Sequence, residues 1–407
     1  MQAMVQVARR NVADGTPGSR CASSSSLPLS LDLPTCRCQL AEVRLVIIQH
    51  CQGGHVTAAV AMVGTGEWAQ LGLGPALQSI DGVTIAACAS PDLAQARRFA
   101  QALGVPGVYT GLDEMLASEA SLDLLVVSTP DDHHPVAVQR AATAGLPVFC
   151  EKPLANSAAE ASELHRAVEQ AGIHATVGFS FRYSKAMQQL RADVQAGVLG
   201  TPWLIELHER NPQFHPAIGR PLTWKGDRSH AAAGAIFEYG AHIVDLGYWL
   251  LGPVHEVTAS FKTVVPGAVL DDIATAQLRY QSGALGIQVA SWVLGGGFPG
   301  IRVHLHGSAG SGEVLIGESP DGRELYRRRS PEGQIFKELD LTPAQPSMAT
   351  YASRQLRDFL AIISGSAVRY PDTMPTISGS LHVQHVLDTM LRATQGSLPV
   401  PDGQAEL

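Results

Sequence analysis

The chain has 407 residues, 45% of them apolar, and a formal net charge of −8 at pH 7. This size and composition can bury a large core and suggest two domains. The acidic balance argues against nucleic acid as a partner, and no apolar run approaches the roughly 20 residues that cross a bilayer. Six cysteines are few for this length, so a reducing cytoplasm is the simplest compartment.

Residues 1–55 differ in composition from the rest of the chain. They contain a serine run at Ser23–Ser26, several prolines and no sustained helical or strand period, which is typical of a disordered extension. Arg9-Arg10 could begin a twin-arginine export signal, but no apolar segment follows it. We therefore expect either a disordered leader or a native start further along the chain, near Val56.

From residue 56 the pattern becomes regular, with short apolar runs that alternate with helical segments. The runs lie at Val56–Val63, Val83–Cys88, Leu122–Val127 and Pro147–Cys150, and the helical segments at Glu67–Ser79, Pro91–Leu103, His133–Ala144 and Ser157–Ala171. Strands that are apolar throughout and separated by helices indicate a parallel sheet that is covered on both faces. We predict an α/β domain over residues 56–177, a doubly wound Rossmann sheet that binds its ligand at the carboxyl ends of the strands.

After about residue 178 the pattern changes. A helix at Ser184–Ala196 precedes strands at Trp203–His208, Val257–Lys262, Ile273–Tyr280, Ala284–Val293 and Ile301–His306, and helices follow at Ser353–Ser364 and Ile377–Thr394. Close turn signals between the later strands favour antiparallel neighbours. We predict an α+β domain over residues 178–395 and a short tail over residues 396–407.

A glycine segment, Gly64-Thr65-Gly66-Glu67-Trp68, follows the first predicted strand and precedes a helix. Glycines at these positions allow a tight turn in which backbone N–H groups approach a pyrophosphate at the start of the helix. Alone, the segment could be an ordinary glycine turn. Its place between a strand and a helix favours a dinucleotide site.

The end of the second strand bears on the choice of dinucleotide. Ser90 stands where an acidic residue usually holds the ribose hydroxyls of NAD. A serine tolerates a 2′-phosphate, and Arg97 or Arg98 could supply positive charge, so NADP is slightly favoured over NAD. Two alternatives stay open: Asp92 takes the role of the acid, or the two arginines are simply solvated.

Two later strands also end in polar residues at this edge of the sheet. Thr129-Pro130 ends the predicted strand that begins at Leu122, and His134 lies at the start of the next helix. Glu151-Lys152-Pro153 ends the predicted strand that begins at Pro147. Proline cannot continue a strand ladder, so the backbone leaves the sheet at each point. We predict a cofactor site formed by Gly64, Thr65, Gly66, Glu67, Trp68, Ser90, Thr129, Pro130, His134, Glu151 and Lys152.

Five ordered motifs resemble the glucose-fructose oxidoreductase, inositol dehydrogenase and MocA (Gfo/Idh/MocA) family. They are Gly64-x-Gly66, Thr129-Pro130 with His134, Glu151-Lys152-Pro153, Phe179 to Arg182, and Glu238-x-Gly240-x-His242-x-x-Asp245. The resemblance implies a Rossmann domain, a C-terminal α+β domain with an open, largely antiparallel sheet, and NAD(P)-dependent redox chemistry on sugars, polyols, cyclitols or related compounds. It also implies a homodimer or homotetramer built through that sheet.

The same resemblance places Lys152 on the reacting oxygen of the substrate. His242 is our predicted proton carrier, because an unperturbed imidazole titrates near physiological pH. Glu238 lies four residues earlier and would share a helix face with it, although the two could instead be a buried core pair. We predict Arg182, Tyr183, Trp224 and Asp245 as substrate contacts, with Lys225 and Arg228 on the same loop as Trp224.

We predict no metal site. His133 and His134 are adjacent and would point apart, and the pair His304 and His306 has no third ligand nearby in sequence. Two other functions remain open: a glycoside hydrolase of the same fold that retains NAD, and a nucleotide-sensing regulator without turnover. The presence of both Lys152 and His242 argues against the sensor.

Overall fold

A computed structural model describes residues 57–295, 299–317, 323–343, 348–393 and 398–400. The predictions for residues 1–55 and for most of the tail lie outside these ranges. No helix within them is long and apolar enough to cross a membrane. The strands form two sheets, one in each predicted domain.

The first sheet has six parallel strands, which are β1 Ala58–Val63, β2 Val83–Ala89, β3 Gly107–Tyr109, β4 Leu124–Val127, β5 Val148–Cys150 and β6 Ala175–Val177. Their order in space is β3-β2-β1-β4-β5-β6. The strand β4 is buried at every position, as expected where helices cover both faces. This order is that of the Rossmann fold, with the switch point between β1 and β4, and it confirms the predicted class.

The helices of this half are α1 Gly74–Gln78, α2 Leu93–Leu103, α3 Leu112–Ser118, α4 His134–Ala144 and α5 Ala158–Ala171. The first predicted helix begins at Glu67, as expected, and contains a π-helical turn over Ala69–Leu73 that leads into α1. The sequence prediction missed β3, α3 and β6, which are too short for a clear hydrophobic period.

The second sheet has nine strands, which are β7 Pro202–Arg210, β8 Val254–Lys262, β9 Ile273–Tyr280, β10 Leu285–Ser291, β11 Gly300–Gly307, β12 Gly310–Gly317, β13 Glu324–Arg329, β14 Ile335–Asp340 and β15 Leu398–Pro399. Their order is β14-β13-β12-β11-β7-β10-β9-β8-β15, and all neighbours are antiparallel except β7 and β10. Burial alternates along β9, so one face of the sheet packs on helices and the other is open. The predicted α+β class is confirmed.

Helices α6 Lys185–Gln195, α7 Ala241–Leu251 and α9 Ile377–Arg392 pack in the C-terminal half. Helix α8 Met348–Ile363 belongs to that half in sequence, but it packs against α1 and the preceding π-helical turn of the Rossmann half. Its buried Leu356 and Phe359 share a core with Phe99 and Val60. This differs from the predicted domain boundaries, because the chain returns to complete the first domain.

Candidate active site

The glycine turn after β1 has the geometry that a phosphate site requires. Gly64 has a φ of +89°, and a Cβ there would lie 2.2 Å from the carbonyl oxygen of Ser128, so no other residue fits without strain. At Gly66 a Cβ would meet no atom within 4 Å. The turn therefore has open space beside its backbone at the start of the helical segment, as the predicted cofactor needs.

The residues that follow the turn use their side chains elsewhere. The Nε1 of Trp68 donates to Glu151 Oε1 at 2.8 Å, and Glu67 forms an ion pair of 3.0 Å with Arg220 across the cleft. Thr65 is buried and donates to Gln95 at 3.1 Å. Glu67 and Trp68 therefore offer only their backbone to a phosphate, whereas their side chains hold the surrounding elements in place.

The end of β2 contains Ser90, which is buried, while Arg97 and Arg98 are exposed on α2. Asp92 caps α2, where its carboxylate accepts a hydrogen bond of 2.9 Å from the backbone of Gln95. Its side chain is therefore already used to cap the N-terminus of α2.

His134 is fully buried and lies between two backbone carbonyls. Its Nδ1 is 2.7 Å from the oxygen of Pro153, and its Nε2 is 3.1 Å from the oxygen of Thr129. Burial lowers the pKa of His134 to about 4, so the ring is neutral at physiological pH. The prediction that His134 contacts the cofactor needs correction: it ties the loop after β4 to the loop after β5 and has no exposed surface.

Thr129 shows where a cofactor fits this edge. Its Oγ1 is buried and has no hydrogen-bond partner among the described residues. A buried hydroxyl without a partner is costly, and a bound polar group would satisfy it. The strand β4 ends at Val127, slightly before the predicted end at Thr129-Pro130.

Lys152 lies at the centre of the cleft and contacts the C-terminal half. Its Nζ is 2.8 Å from the carbonyl oxygen of Glu238 and 3.1 Å from Glu238 Oε2. The other oxygen, Glu238 Oε1, is 2.6 Å from Lys225 Nζ. One carboxylate is therefore held between two ammonium groups, and the two halves of the molecule meet at this contact.

These contacts fix the charges of the cluster. Burial alone would lower the pKa of Lys152, but Glu238, Asp131 and Glu151 raise it above its usual value. Burial alone would raise the pKa of Glu238, but Lys152 and Lys225 hold it below its usual range. Lys152 is therefore protonated and Glu238 ionised at neutral pH.

Two further carboxyl groups have raised pKa values. Burial raises the pKa of Asp131 to about 8 and that of Glu151 to about 7, while Lys152 opposes both shifts. Asp131 lies beside Lys152 and was not among the predicted site residues. Its sequence signal was available, because it is an acidic residue directly after Thr129-Pro130 at the carboxyl edge of the sheet.

His242 lies one turn beyond Glu238 in a continuous helical segment, a π-helical turn over Ile236–Gly240 that runs into α7. Its ring makes T-shaped contacts with the rings of Phe181 and Phe179, at centroid distances of 4.8 and 6.2 Å, respectively. Burial, followed by the charge of Lys152, lowers the pKa of His242 well below its usual value. The expectation of an imidazole that titrates near neutrality therefore needs correction, because this ring stays neutral there.

Asp271 holds the start of this segment. Its carboxylate accepts hydrogen bonds from the backbone of Gly234 at 2.7 Å and of Ile236 at 2.9 Å. A Cβ at Gly234 would lie 2.0 Å from the backbone oxygen of Asp271. Only glycine therefore allows this close approach, which places Glu238 and His242 over the cleft.

Three of the four predicted substrate contacts are in the interior. Arg182 and Asp245 are 5% and 1% exposed and form a bidentate pair at 2.7 and 2.6 Å. Tyr183 is 1% exposed and packs edge-on against Tyr370. These side chains have no surface to offer a substrate, so the structure places them as supports behind the cleft.

Trp224 is the fourth predicted contact, and it does reach the cleft. It lies on a single turn, Trp224–Gly226, and lines the same cavity as Asp131, Lys225, Glu238 and Trp292. Arg228, on the same loop, points elsewhere and donates to the carbonyl of Val269 at 2.7 Å. This narrow gap brings two aromatic rings together with a lysine and two carboxyl groups.

Two known domain families match this chain. Residues 58–179 match "Oxidoreductase family, NAD-binding Rossmann fold", and residues 187–313 match "GFO/IDH/MocA C-terminal domain". The two matches meet near the boundary between the two sheets.

Known proteins resemble the chain over the same region. The D-apiose dehydrogenase of Paraburkholderia graminis is 29% identical over 57% of this chain. The match covers 60% of the length of that dehydrogenase. The rhizopine catabolism protein MocA of Rhizobium meliloti is 30% identical over 66% of this chain and 81% of that protein. A levoglucosan dehydrogenase solved in complex with NADH shares the fold, with a TM-score of 0.74 at 20% identity over 85% of this chain and 100% of that one. The chain therefore belongs to the Gfo/Idh/MocA family of oxidoreductases, and its first domain is a nicotinamide-dinucleotide-binding Rossmann domain.

Proposed function

We propose that this oxidoreductase transfers a hydride between NAD(P) and a hydroxyl or keto carbon of a sugar, polyol, cyclitol or related compound. The observation that carries the proposal is the contact between Lys152, at the end of β5, and Glu238, on the C-terminal half. This contact brings an ammonium group and the segment of His242 to the edge of the sheet where a dinucleotide binds. The activity named for the D-apiose dehydrogenase supports this substrate class.

The bound nicotinamide supplies the hydride acceptor or donor. We assign the backbone of Gly64, Thr65 and Gly66 to the pyrophosphate of the dinucleotide. We assign Thr129 Oγ1, which has no partner in the described part of the chain, to a polar group further along the cofactor. Trp68 and His134 act indirectly, since their side chains brace Glu151 and the loop before α4.

Lys152 binds the reacting oxygen in this proposal. An ammonium group has three N–H bonds, and the contacts to Glu238 use two of them. The third can donate to a substrate oxygen, where its positive charge stabilises the negative charge that develops as the hydroxyl proton leaves. Glu238, held ionised by Lys152 and Lys225, accepts hydrogen bonds from other substrate hydroxyls.

His242 receives the proton. The ring is neutral, so a nitrogen with a free lone pair can accept the hydroxyl proton during oxidation and return it during reduction. Nδ1 is buried with no partner among the described residues, so we assign the proton transfer to Nε2. The neighbouring Phe179 and Phe181 fix the plane of the ring.

For the cofactor, we propose a preference for NADP over NAD. Ser90 brings no negative charge to the end of β2, and Arg97 and Arg98 are exposed nearby on α2. A carboxylate at this position would repel a 2′-phosphate, whereas a serine hydroxyl does not. NAD binding remains compatible with the same turn.

We further propose a cytoplasmic homodimer or homotetramer that forms through the open face of the second sheet. Leu285 and Ile287 are 46% and 42% exposed on that face, and apolar side chains exposed together on a sheet favour burial against a second copy. The thiols of Cys88 and Cys150 are free and buried, which is compatible with a reducing compartment. Light scattering of the purified protein measures the oligomeric state.

One substrate panel tests the proposed activity. Purified protein is mixed with NADP or NAD and with cyclitols, aldoses, keto-sugars and aryl glycosides, and both cofactor absorbance and aglycone release are followed. A dehydrogenase gives a net change in cofactor absorbance, which Lys152→Ala abolishes. Aglycone release without a net change supports the NAD-retaining hydrolase instead, and cofactor binding without turnover across the panel supports the sensor.

A further inference from the structure

Glu206, His304 and His306 form a cluster on the open face of the second sheet. Glu206 is on β7, His304 is its direct partner on β11, and His306 follows two residues later, so the three side chains point to one face. The sequence offered no third ligand for the histidine pair. The sheet supplies it from the neighbouring strand.

The separations in this cluster suit a metal ion. Glu206 Oε2 is 3.5 Å from His304 Nδ1 and 3.4 Å from His306 Nε2, and the three candidate ligand atoms all lie within 4.8 Å of one another. Two ligands at about 2.0–2.1 Å from a tetrahedral ion are about 3.3 Å apart. Both Glu–His separations are therefore close to those around such an ion.

The surroundings favour binding as well. Ser311 Oγ lies 3.2 Å from His304 Nε2 and fixes the ring that carries the candidate ligand atom Nδ1. The nearest cation on the same strand, Arg302, is paired with Glu313 at 2.9 Å, so its charge is already compensated. Metal binding requires any proton that His306 Nε2 shares with Glu206 to leave, as for any histidine ligand.

We propose that Glu206, His304 and His306 are the three protein ligands of one divalent transition metal ion of the zinc type. Two imidazoles and a carboxylate are ligands that such ions prefer, whereas calcium and magnesium prefer all-oxygen sites. The ion joins β7 to β11. The site is separate from the hydride-transfer cleft, because Leu207, next to Glu206, points to the opposite face, where it packs under Gly247 of α7.

The test is a zinc titration of the full-length, chelator-treated protein by calorimetry. We expect the double variant His304→Ala/His306→Ala to bind one equivalent fewer than the wild type. His255→Ala, an exposed histidine on β8 of the same sheet, should bind as many equivalents as the wild type. Glu206→Gln, which keeps the shape but loses the charge, should bind this equivalent at least about tenfold more weakly.

Circular dichroism and dehydrogenase activity check that the variants are folded. A second candidate cluster, Asp132, His133 and His230, is intact in all of them, so zinc that remains bound to the double variant is assigned outside the sheet. If the double variant does not fold, Glu206→Gln decides. The proposal is overturned if the folded double variant, or the folded Glu206→Gln variant, binds zinc with the stoichiometry and affinity of the wild type.

Discussion

The ammonium nitrogen of Lys152 lies 2.8 Å from the backbone carbonyl of Glu238, 86 positions later in the chain. A strand end of the Rossmann sheet and a helix start of the C-terminal half therefore meet at one atom. Because this contact crosses the cleft, a change at either residue affects both the reacting oxygen and the relation of the two halves.

Lys152→Ala should lower kcat at least about 100-fold, because a positioned proton-transfer or charge-stabilising group contributes this much. The cofactor Kd should stay within a fewfold, since the pyrophosphate turn is unchanged. Steady-state kinetics and fluorescence titration measure the two quantities. The control is Lys185→Ala, an exposed lysine at the start of α6, and wild-type turnover in Lys152→Ala would remove Lys152 from the mechanism.

His242→Gln should reduce kcat by about two to four orders of magnitude, because glutamine cannot carry the proton. The pKa of His242 is lowered well below that of a free imidazole, so the wild-type ring loses its accepting form only in acid. The acidic limb of kcat/KM for alcohol oxidation should therefore lie below pH 6.5, the ordinary value of histidine. The assignment of a neutral His242 would be contradicted if the acidic limb of the wild type lay at or above pH 6.5 and disappeared in His242→Gln.

Asp131→Asn should change how stability depends on pH. The folded pKa of Asp131 is raised to about 8, above the unfolded value of about 3.9. Its contribution to folding is therefore complete below about pH 4 and is lost as the pH rises to about 8. Between about pH 4 and pH 8 the free energy of unfolding of Asp131→Asn, relative to that of the wild type, should rise by at least about 1 kcal/mol. Denaturant unfolding at each pH measures this difference. The exposed Asp81→Asn is the control and should track the wild type.

Asp245→Ala should destabilise the protein by about 3–5 kcal/mol, because it leaves the Arg182 guanidinium buried without its partner. The matched control is Arg140→Ala, which breaks an exposed pair with Asp113 and should cost at most about 1 kcal/mol. Urea unfolding measures both. A direct role in substrate binding would instead raise KM in Asp245→Ala while the unfolding free energy stayed unchanged.

Ser90→Asp should shift the cofactor preference toward NAD. The added carboxylate repels a 2′-phosphate, and we expect kcat/KM for NADP to fall roughly tenfold, about 1.4 kcal/mol, relative to NAD. Ser90→Ala removes the hydroxyl without adding charge and should change the ratio much less. Equal effects of the two substitutions on both cofactors would show that Ser90 does not face the ribose.

Local signals in the sequence were sufficient for the parallel sheet and for Gly64, because buried strands and a required positive φ both leave a local pattern. The partners of individual side chains were not predictable in the same way. Arg182 and Asp245 are 63 positions apart, and each alone reads as a charged residue near a sugar site. Their mutual burial depends on how the turn that carries Arg182 packs against α7, which no periodicity encodes.

The histidine pair on β11 illustrates the same difference. Alternation along the strand indicated that His304 and His306 share a face, but the register that sets Glu206 opposite His304 is a property of the assembled sheet. The pKa of His242 depends likewise on burial beneath Phe179 and Phe181 and on the charge of Lys152. Residue type alone gives only its ordinary value.

Helix α8 has a consequence for how the protein can be dissected. Leu356 and Phe359 fill the core beside Phe99, so a fragment that ends near residue 178 would leave that core open to water. A nucleotide-binding piece excised at the sequence boundary is therefore expected to aggregate unless α8 is supplied as well. Helix α8 also brings a late part of the chain back to the Rossmann half. The two halves are therefore connected by α8 as well as by the segment that follows β6.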